Sequence, residues 1–140
     1  MLIIRDVNSL YKRLLDGLRI KSYLSNDTVR AAMERVDRGN YVPADCGPDK
    51  AYSDSPYPIG WNTTISAPHM HAATLEHLAP HFKPGCKALD IGTGSGYLAV
   101  CMAEMIDDDG KVYALDHIQD IVTFATKNVK KANGDLLNNG

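Results

Sequence analysis

The run Asp90-Ile91-Gly92-Thr93-Gly94-Ser95-Gly96 limits what this chain can fold into more than any other stretch. It follows the short apolar segment of residues 87–91, bounded by Gly85 and Gly92, and opens onto helical spacing over residues 97–106 with Leu98, Met102, Met105 and Ile106 facing inward. The glycines therefore sit between a buried strand and a helix. There they allow a sharp turn and a close approach of backbone to ligand, while the helix N-terminus offers N–H groups to an anionic group. A G-x-G-x-x-G dinucleotide loop would need a third glycine at position 97, which is Tyr97. A second strand over residues 111–116 and a helix over 118–129, with Ile121, Val122, Ala125 and Val129 on one face, complete a βαβ unit. The expected fold is α/β, a parallel doubly wound sheet of Rossmann-like type.

Asp116 ends the second strand 20 residues after Gly96, where an acidic side chain can accept both ribose hydroxyls of a nucleoside. The alternative is that the glycines form only a tight turn and that Asp116 caps the next helix. The G-x-G-x-G form with Asp90 ahead of it resembles the cofactor loop of S-adenosylmethionine methyltransferases.

Ahead of this half, Leu10, Leu14, Leu15 and Leu18 recur at helical spacing behind Asn8 or Ser9 as a candidate N-cap. A second helix begins near Asn26-Asp27, places Val29, Met33 and Val36 on one face and gives way near Gly39-Asn40. Residues 41–65 hold Pro43, Pro48, Pro56 and Pro58 with Gly47 and Gly60, so the spacing predicts an irregular segment. Its Tyr41, Tyr52, Tyr57, Ile59 and Trp61 argue for an ordered, functional wall. Behind Ser66 as a possible N-cap, residues 67–78 read as a helix with Met70, Leu75 and Leu78 on its inner face. The expected organisation is a single incomplete domain over residues 1–140: N-terminal helices over 1–50, a substrate and active-site segment with its helix over 51–84, and a cofactor-binding βαβα unit over 85–140.

A net charge of -2 gives no broad basic surface, which argues against nucleic acid as a partner. No apolar run is long enough to span a bilayer, and Met1-Leu2-Ile3-Ile4 is cut short by Arg5 and Asp6, so a cytoplasmic protein is expected. Cys46, Cys86 and Cys101 are an odd set without C-x-x-C spacing and read as reduced thiols. His77 and His81 stand four apart, but no acidic or thiol ligand clusters with them, so no metal is expected. The residues Asp107-Asp108-Asp109-Gly110 read as a solvated polar turn rather than a calcium loop. Asp54, beside Tyr52 and Pro56, is either a turn former or a substrate-side contact.

The segment from Tyr52-Ser53-Asp54-Ser55-Pro56-Tyr57-Pro58-Ile59-Gly60-Trp61 through Asn62-Thr63-Thr64-Ile65-Ser66-Ala67-Pro68-His69-Met70-His71-Ala72 resembles the signature of the protein-L-isoaspartate O-methyltransferase family. Val36-Asp37-Arg38 through Tyr41-Val42-Pro43, the glycine loop and the residues around Asp116 are similar to the family's other motifs at fitting distances. Trp61-Asn62-Thr63 departs from the commoner Gly-Gln-Thr form. The resemblance implies S-adenosyl-L-methionine as cofactor, S-adenosyl-L-homocysteine as product, and peptides and proteins containing isoaspartyl, and D-aspartyl, residues as substrates. It makes Ser66 the lead catalytic residue, with Thr63, Thr64, Ile65 and Ser66 itself bordering the cofactor. It counts Asp90 among the cofactor-binding residues and places His71 beside the pocket, Gly92, Thr93 and Gly94 at the amino-acid end, and Asp116 and His117 at the adenosine. The complete protein is expected to be a monomer.

A carboxylate, with a reference pKa of about 4, is already an ionised nucleophile at neutral pH, so its methylation needs no general base. The task is to align one carboxylate oxygen with the S-methyl bond, in a dry pocket expected to be walled by Trp61, Ile59 and Tyr52. Only two clear sheet strands precede Asn138-Asn139-Gly140, and so small a parallel sheet cannot cover both of its faces. An exposed edge beside the first strand, or a neighbouring chain covering it, is therefore expected. A noncatalytic fragment or binding module of the same fold is the competing reading.

Overall fold

The computed structural model describes residues 7–106 and 108–137. Asp107, in the expected polar turn, and the Met1-Leu2-Ile3-Ile4 and Asn138-Asn139-Gly140 ends lie outside the described residues.

Helix α1, Val7–Ile20, buries Tyr11, Leu15 and Leu18. Asn8 and Ser9 are not its N-cap, because both lie inside the helix. Helix α2, Asp27–Arg35, starts as expected: the Asn26 side chain accepts from Thr28 N at 2.8 Å and Val29 N at 3.3 Å. At its other end the Tyr11 hydroxyl lies 2.7 Å from Met33 O and 3.0 Å from Val36 O, satisfying carbonyls that the helix leaves over.

The proline-rich stretch holds more structure than its composition suggests. A 3₁₀ turn, Arg38–Tyr41, leads to the short helix α3, Pro48–Ala51, and then to an antiparallel hairpin of β1, Tyr57–Gly60, and β2, Thr63–Ile65. The hairpin places Trp61 (φ 50°) and Asn62 (φ 58°) in the left-handed region, the backbone of a two-residue primed turn.

Helix α4, Pro68–Leu78, has Ala67 rather than Ser66 at its N-cap position. The cap is supplied from 15 residues upstream: Asp54 Oδ1 accepts from His69 N at 2.9 Å and contacts His69 Nδ1 at 2.9 Å. Asp54 thus does more than form a turn: it holds the start of α4, with its side chain still 21% exposed. The buried face of α4 is Pro68, His71, Ala72 and Leu75, whereas Met70, expected inside, is 54% exposed. Glu76 ties α4 to the α1–α2 connection by accepting from Ser25 N at 2.8 Å and Asn26 N at 2.7 Å.

Strand β3, Lys87–Ile91, helix α5, Tyr97–Met105, strand β4, Lys111–Leu115, and helix α6, Gln119–Ala132, form the expected parallel unit, in register from Lys87↔Lys111 to Ile91↔Leu115. Helix α5 lies against both strands and also packs on α2 and α4, so one apolar cluster runs from Tyr11 to Ile121. The inward residues of α5 differ in part from expectation: Tyr97, Ala99, Val100, Cys101 and Met102 are buried, while Leu98 and Met105 are half-buried.

The expectation of a buried strand over 87–91 is corrected. Ala88, Asp90 and Val112, on the face toward the helices, are half-buried; Leu89, Ile91, Tyr113 and Leu115 share the other face and are 54%, 79%, 48% and 54% exposed. Among the described residues β3 and β4 pair only with each other, which leaves open strand edges as expected.

Candidate active site

The glycine loop is hooked onto the end of β4: Leu115 O accepts from Gly92 N at 2.8 Å and from Thr93 N at 2.9 Å. Gly92, Gly94 and Gly96 have φ values of 80°, 55° and 86°, in the left-handed region that side chains resist. Gly96 also faces α6, where an added Cβ would meet Ala125 Cβ at 3.4 Å and Val129 Cγ2 at 3.5 Å, in ordinary contact. Helix α6 supports the loop further through Asn128 Nδ2, which donates to Ser95 O at 3.1 Å.

Across from this loop the β2–α4 segment closes a cavity of about 140 Å³, lined by Thr64, Ile65, Ser66, Met70, His71, Thr74, Asp90, Gly92, Thr93, Gly94, Ser95 and Leu98. Eight of the residues singled out in the sequence, from Thr64 to Gly94, therefore meet at one place. Met70, Thr74, Ser95 and Leu98 were not singled out; the i, i+4 spacing of Met70 and Thr74 from Ser66 and Met70 is the signal that could have found them.

Two polar atoms in this wall are buried and make no hydrogen bond: Asp90 Oδ2 and Thr93 Oγ1. Buried polar groups are normally paired, so a cavity with an orphaned carboxylate oxygen and an orphaned hydroxyl fits a ligand rich in donors. Burial raises the Asp90 pKa and Asp116 adds to this, while the adjacent Thr93 hydroxyl works in the other direction without completing a hydrogen bond. Ser66 is exposed toward the cavity, and its hydroxyl makes no hydrogen bond among the described residues.

His71, 7% exposed, has its Nδ1 3.4 Å from Arg38 Nη1, and its ring lies 4.8 Å from that of Tyr97. Burial, with the Arg38 charge second, lowers its pKa to about 3, so the ring is neutral throughout the physiological range. With its pKa lowered so far the ring is a weak base, and the Ser66 hydroxyl has no hydrogen-bonded partner among the described residues that could take its proton.

Thr63, Asp116 and His117 stand apart from the cavity. Thr63 Oγ1 donates to Gly60 O at 2.8 Å within the hairpin turn. The Asp116 side chain, 6% exposed, accepts from Gly94 N at 3.2 Å and Ile118 N at 3.2 Å, so it braces the glycine loop and the start of α6 together. His117 is 90% exposed.

The expected wall of Trp61, Ile59 and Tyr52 is also corrected, because each has a partner elsewhere. Trp61 Nε1 donates to Asp120 Oδ2 at 3.1 Å and its ring lies 6.1 Å from Phe124, both on α6. The Tyr52 hydroxyl donates to Asp37 Oδ1 at 2.7 Å, beside a separate cavity of about 570 Å³. Ile59 is buried beneath the loop, 3.6 Å from where a Cβ on Gly94 would stand. No group of three or more His, Cys, Asp or Glu able to hold a metal occurs among the described residues, and no helix there is long and apolar enough to cross a membrane.

Known proteins resemble this chain in sequence and fold. The chain is 41% identical to the protein-L-isoaspartate O-methyltransferase of Caenorhabditis elegans over 136 residues, covering 97% of this chain and 58% of that protein. It is 44% identical to the enzyme of that name from Triticum aestivum over 119 residues, covering 85% of this chain and 50% of that protein. A crystal structure from Plasmodium falciparum, described as a protein-L-isoaspartate O-methyltransferase in complex with S-adenosyl-L-homocysteine, superposes with a TM-score of 0.83 at 39% identity, over 91% of this chain and 58% of that one. The fold is thus the Rossmann-like methyltransferase fold, and the chain spans about half the length of the relatives it matches. The family model described as protein-L-isoaspartate(D-aspartate) O-methyltransferase matches residues 9–138, and the chain belongs to that family.

Proposed function

We propose that this chain carries the cofactor-binding and methyl-transfer part of a protein that methylates the side-chain carboxylate of L-isoaspartyl residues, and of D-aspartyl residues, in damaged proteins. The observation that supports it best is the cavity in which Ser66 of the β2–α4 segment faces the glycine loop, with Asp90 Oδ2 and Thr93 Oγ1 unpaired in its wall. We take residues 1–140 as one incomplete methyltransferase domain that works in the cytoplasm, where the three free cysteines stay reduced, and as a monomer when complete, without nucleic acid as a partner.

S-adenosyl-L-methionine, when bound, supplies an electrophilic methyl group on a positively charged sulfur. In this reading Asp90 accepts from the ammonium of its amino-acid end, and the backbone of Gly92, Thr93 and Gly94 lies against that end. Thr64 and Ile65 border it, with Thr63 behind them in the hairpin turn, and His71 forms another part of the cavity wall. Asp116 uses two of its roughly four acceptor positions within the chain and keeps the rest for ribose hydroxyls, with His117 flanking the adenosine. Ser66 donates a hydrogen bond to one oxygen of the isoaspartyl carboxylate and so aligns the other for attack. No proton has to leave the substrate, because its carboxylate is already ionised at neutral pH, so the transfer asks no general base of the cavity.

Ser66→Ala is expected to lower turnover of an isoaspartyl peptide by about 10-fold or more, with cofactor affinity little changed, since an oriented hydrogen bond to a charged group is worth roughly 1.5–3 kcal/mol. Unchanged turnover would remove Ser66 from this role. The uncovered face of Leu89, Ile91, Tyr113 and Leu115 supports a second reading, in which the 140 residues alone form a noncatalytic fragment. Calorimetry with S-adenosyl-L-homocysteine separates the two: binding together with ester formation excludes the fragment reading, and neither excludes activity of this chain.

A further inference from the structure

Arg38 is among the largest fully buried side chains, 1% exposed, and no carboxylate pairs with it among the described residues. Its guanidinium is spent on neutral acceptors: Nε donates to Ala51 O at 3.0 Å, Nη2 to Ser55 O at 3.3 Å, and Nη1 faces His71 Nδ1 at 3.4 Å. An unpaired buried cation is costly, so its retention calls for a compensating partner. A guanidinium can only donate, which makes Nδ1 of His71 the acceptor and puts the imidazole proton on Nε2. The Tyr97 ring against the imidazole fixes its plane, and the Tyr97 hydroxyl is itself held 2.8 Å from that of Tyr11. Nε2 has no hydrogen-bond partner among the described residues, and His71 lines the cavity.

We propose that Arg38 is a positioning residue that holds His71 as a neutral Nε2–H donor for a carboxylate bound in the cavity. The proposal rests on the functional reading above and deepens it. Asp90 and His71 then give the cavity opposite preferences, for an ammonium and for a carboxylate, and the Arg38 charge behind His71 offsets the repulsion that Asp90 exerts on an incoming anion. The carboxylate belongs either to the amino-acid end of the cofactor or to the isoaspartyl side chain. The other titratable groups around the ring do not compete for the role. Tyr97, Cys101 and Tyr11 are neutral, their pKa values raised by burial, and at the start of α4 Asp54 is bound to His69.

The first test needs no cofactor. Long-range ¹⁵N–¹H spectra of the histidine side chains should show His71 as the Nε2–H tautomer, without titration from about pH 5 to about pH 8. In Arg38→Met the ring should regain a mixed tautomer population and titrate upward toward its ordinary range, and Arg38→Lys should restore the wild-type pattern in part. A wild-type His71 that titrates normally, or carries its proton on Nδ1, overturns the proposal even if Arg38→Met does not fold. The second test compares ligands on wild type and Arg38→Met, with Arg38→Lys as the partial rescue. If the carboxylate is the cofactor's, S-adenosyl-L-homocysteine binds about 10-fold or more weakly while 5′-methylthioadenosine, which lacks the amino-acid end, is unaffected. If it is the substrate's, both bind as before and KM for an isoaspartyl peptide rises by a similar factor. A variant with altered His71 spectra that changes none of these refutes the carboxylate role. Failure of wild type to bind any cofactor analogue, with the tautomer as stated, refutes the functional reading and leaves the Arg38–His71 assignment standing.

Discussion

Replacing a single hydrogen by a methyl group at two glycines should move stability in opposite directions. Gly96 has φ 86° and ψ -1°, and placing an L-residue in the left-handed region costs about 1–2 kcal/mol. The added Cβ would stand 3.4 Å from Ala125 Cβ and 3.5 Å from Val129 Cγ2, at the near edge of ordinary contact, so packing adds little and the total stays within about 1–3 kcal/mol. Gly17, inside α1, has an ordinary helical backbone and no atom within 4 Å of the added Cβ. There alanine should stabilise by about 0.5–1 kcal/mol, because glycine loses more freedom on entering a helix.

The two variants should therefore differ by about 1.5–4 kcal/mol in urea unfolding, read as a shift in midpoint at constant slope. The comparison is internal: the chemical change is the same, and only backbone conformation and surroundings differ. If Gly96→Ala unfolds at or above the wild-type midpoint while Gly17→Ala behaves as stated, the loop does not hold the strained conformation described, and the close approach of backbone to ligand at Gly92 to Gly94 loses its support.

Asp90→Asn should stabilise the ligand-free protein at neutral pH and weaken S-adenosyl-L-homocysteine binding in calorimetry. Burial raises the Asp90 pKa above its unfolded value, so its contribution to stability is most favourable below the unfolded pKa and is lost as pH rises through the folded one. The advantage of Asn over Asp should accordingly shrink in denaturation curves as pH falls into the ordinary carboxylate range; an advantage independent of pH would refute the assignment. Asp54→Ala removes the acceptor for His69 N and should cost about 0.5–2 kcal/mol by chemical denaturation, a typical value for a lost helix cap. A loss of turnover with stability intact would instead make Asp54 a substrate contact.

The parts of the fold that were legible in the sequence are those fixed by neighbours a few residues away. The glycine loop announces itself because three alternate positions need positive φ and only glycine supplies it without strain, and Asn26 announces α2 because a cap bonds to amides two and three residues on. Partners distant in sequence were hidden. The cap of α4 comes from Asp54 rather than Ser66, and nothing in the order of residues says that Trp61 will bond to Asp120 or Tyr52 to Asp37. Arg38 was hidden for the same reason, since a cation beside Asp37 and Gly39 reads as a polar helix end until α3, α4 and α5 are packed around it.

Met70 and the strand over 87–91 failed for a different reason, which bears on the site. Helical or strand spacing says which residues share a face, but it does not say that the face is covered. In α4 the covered face turns by about one position, so that His71 is inside and Met70 lines the cavity; a fully packed Met70 would close the space between Ser66 and the glycine loop. On the sheet, Leu89 and Ile91 stand in register with Tyr113 and Leu115 on a face that no described element covers, while Asp90, between them in sequence, points the other way into the cavity wall. The alternation of the strand thus serves two ends at once: it aims one carboxylate at the candidate site and leaves an apolar surface on the opposite side. Because the two sets are separated by the sheet itself, a charge introduced at Ile91 or Leu115 should alter how the chain associates in sedimentation without changing the tautomer of His71. If it changes both, the sheet is not the rigid divider that its register implies.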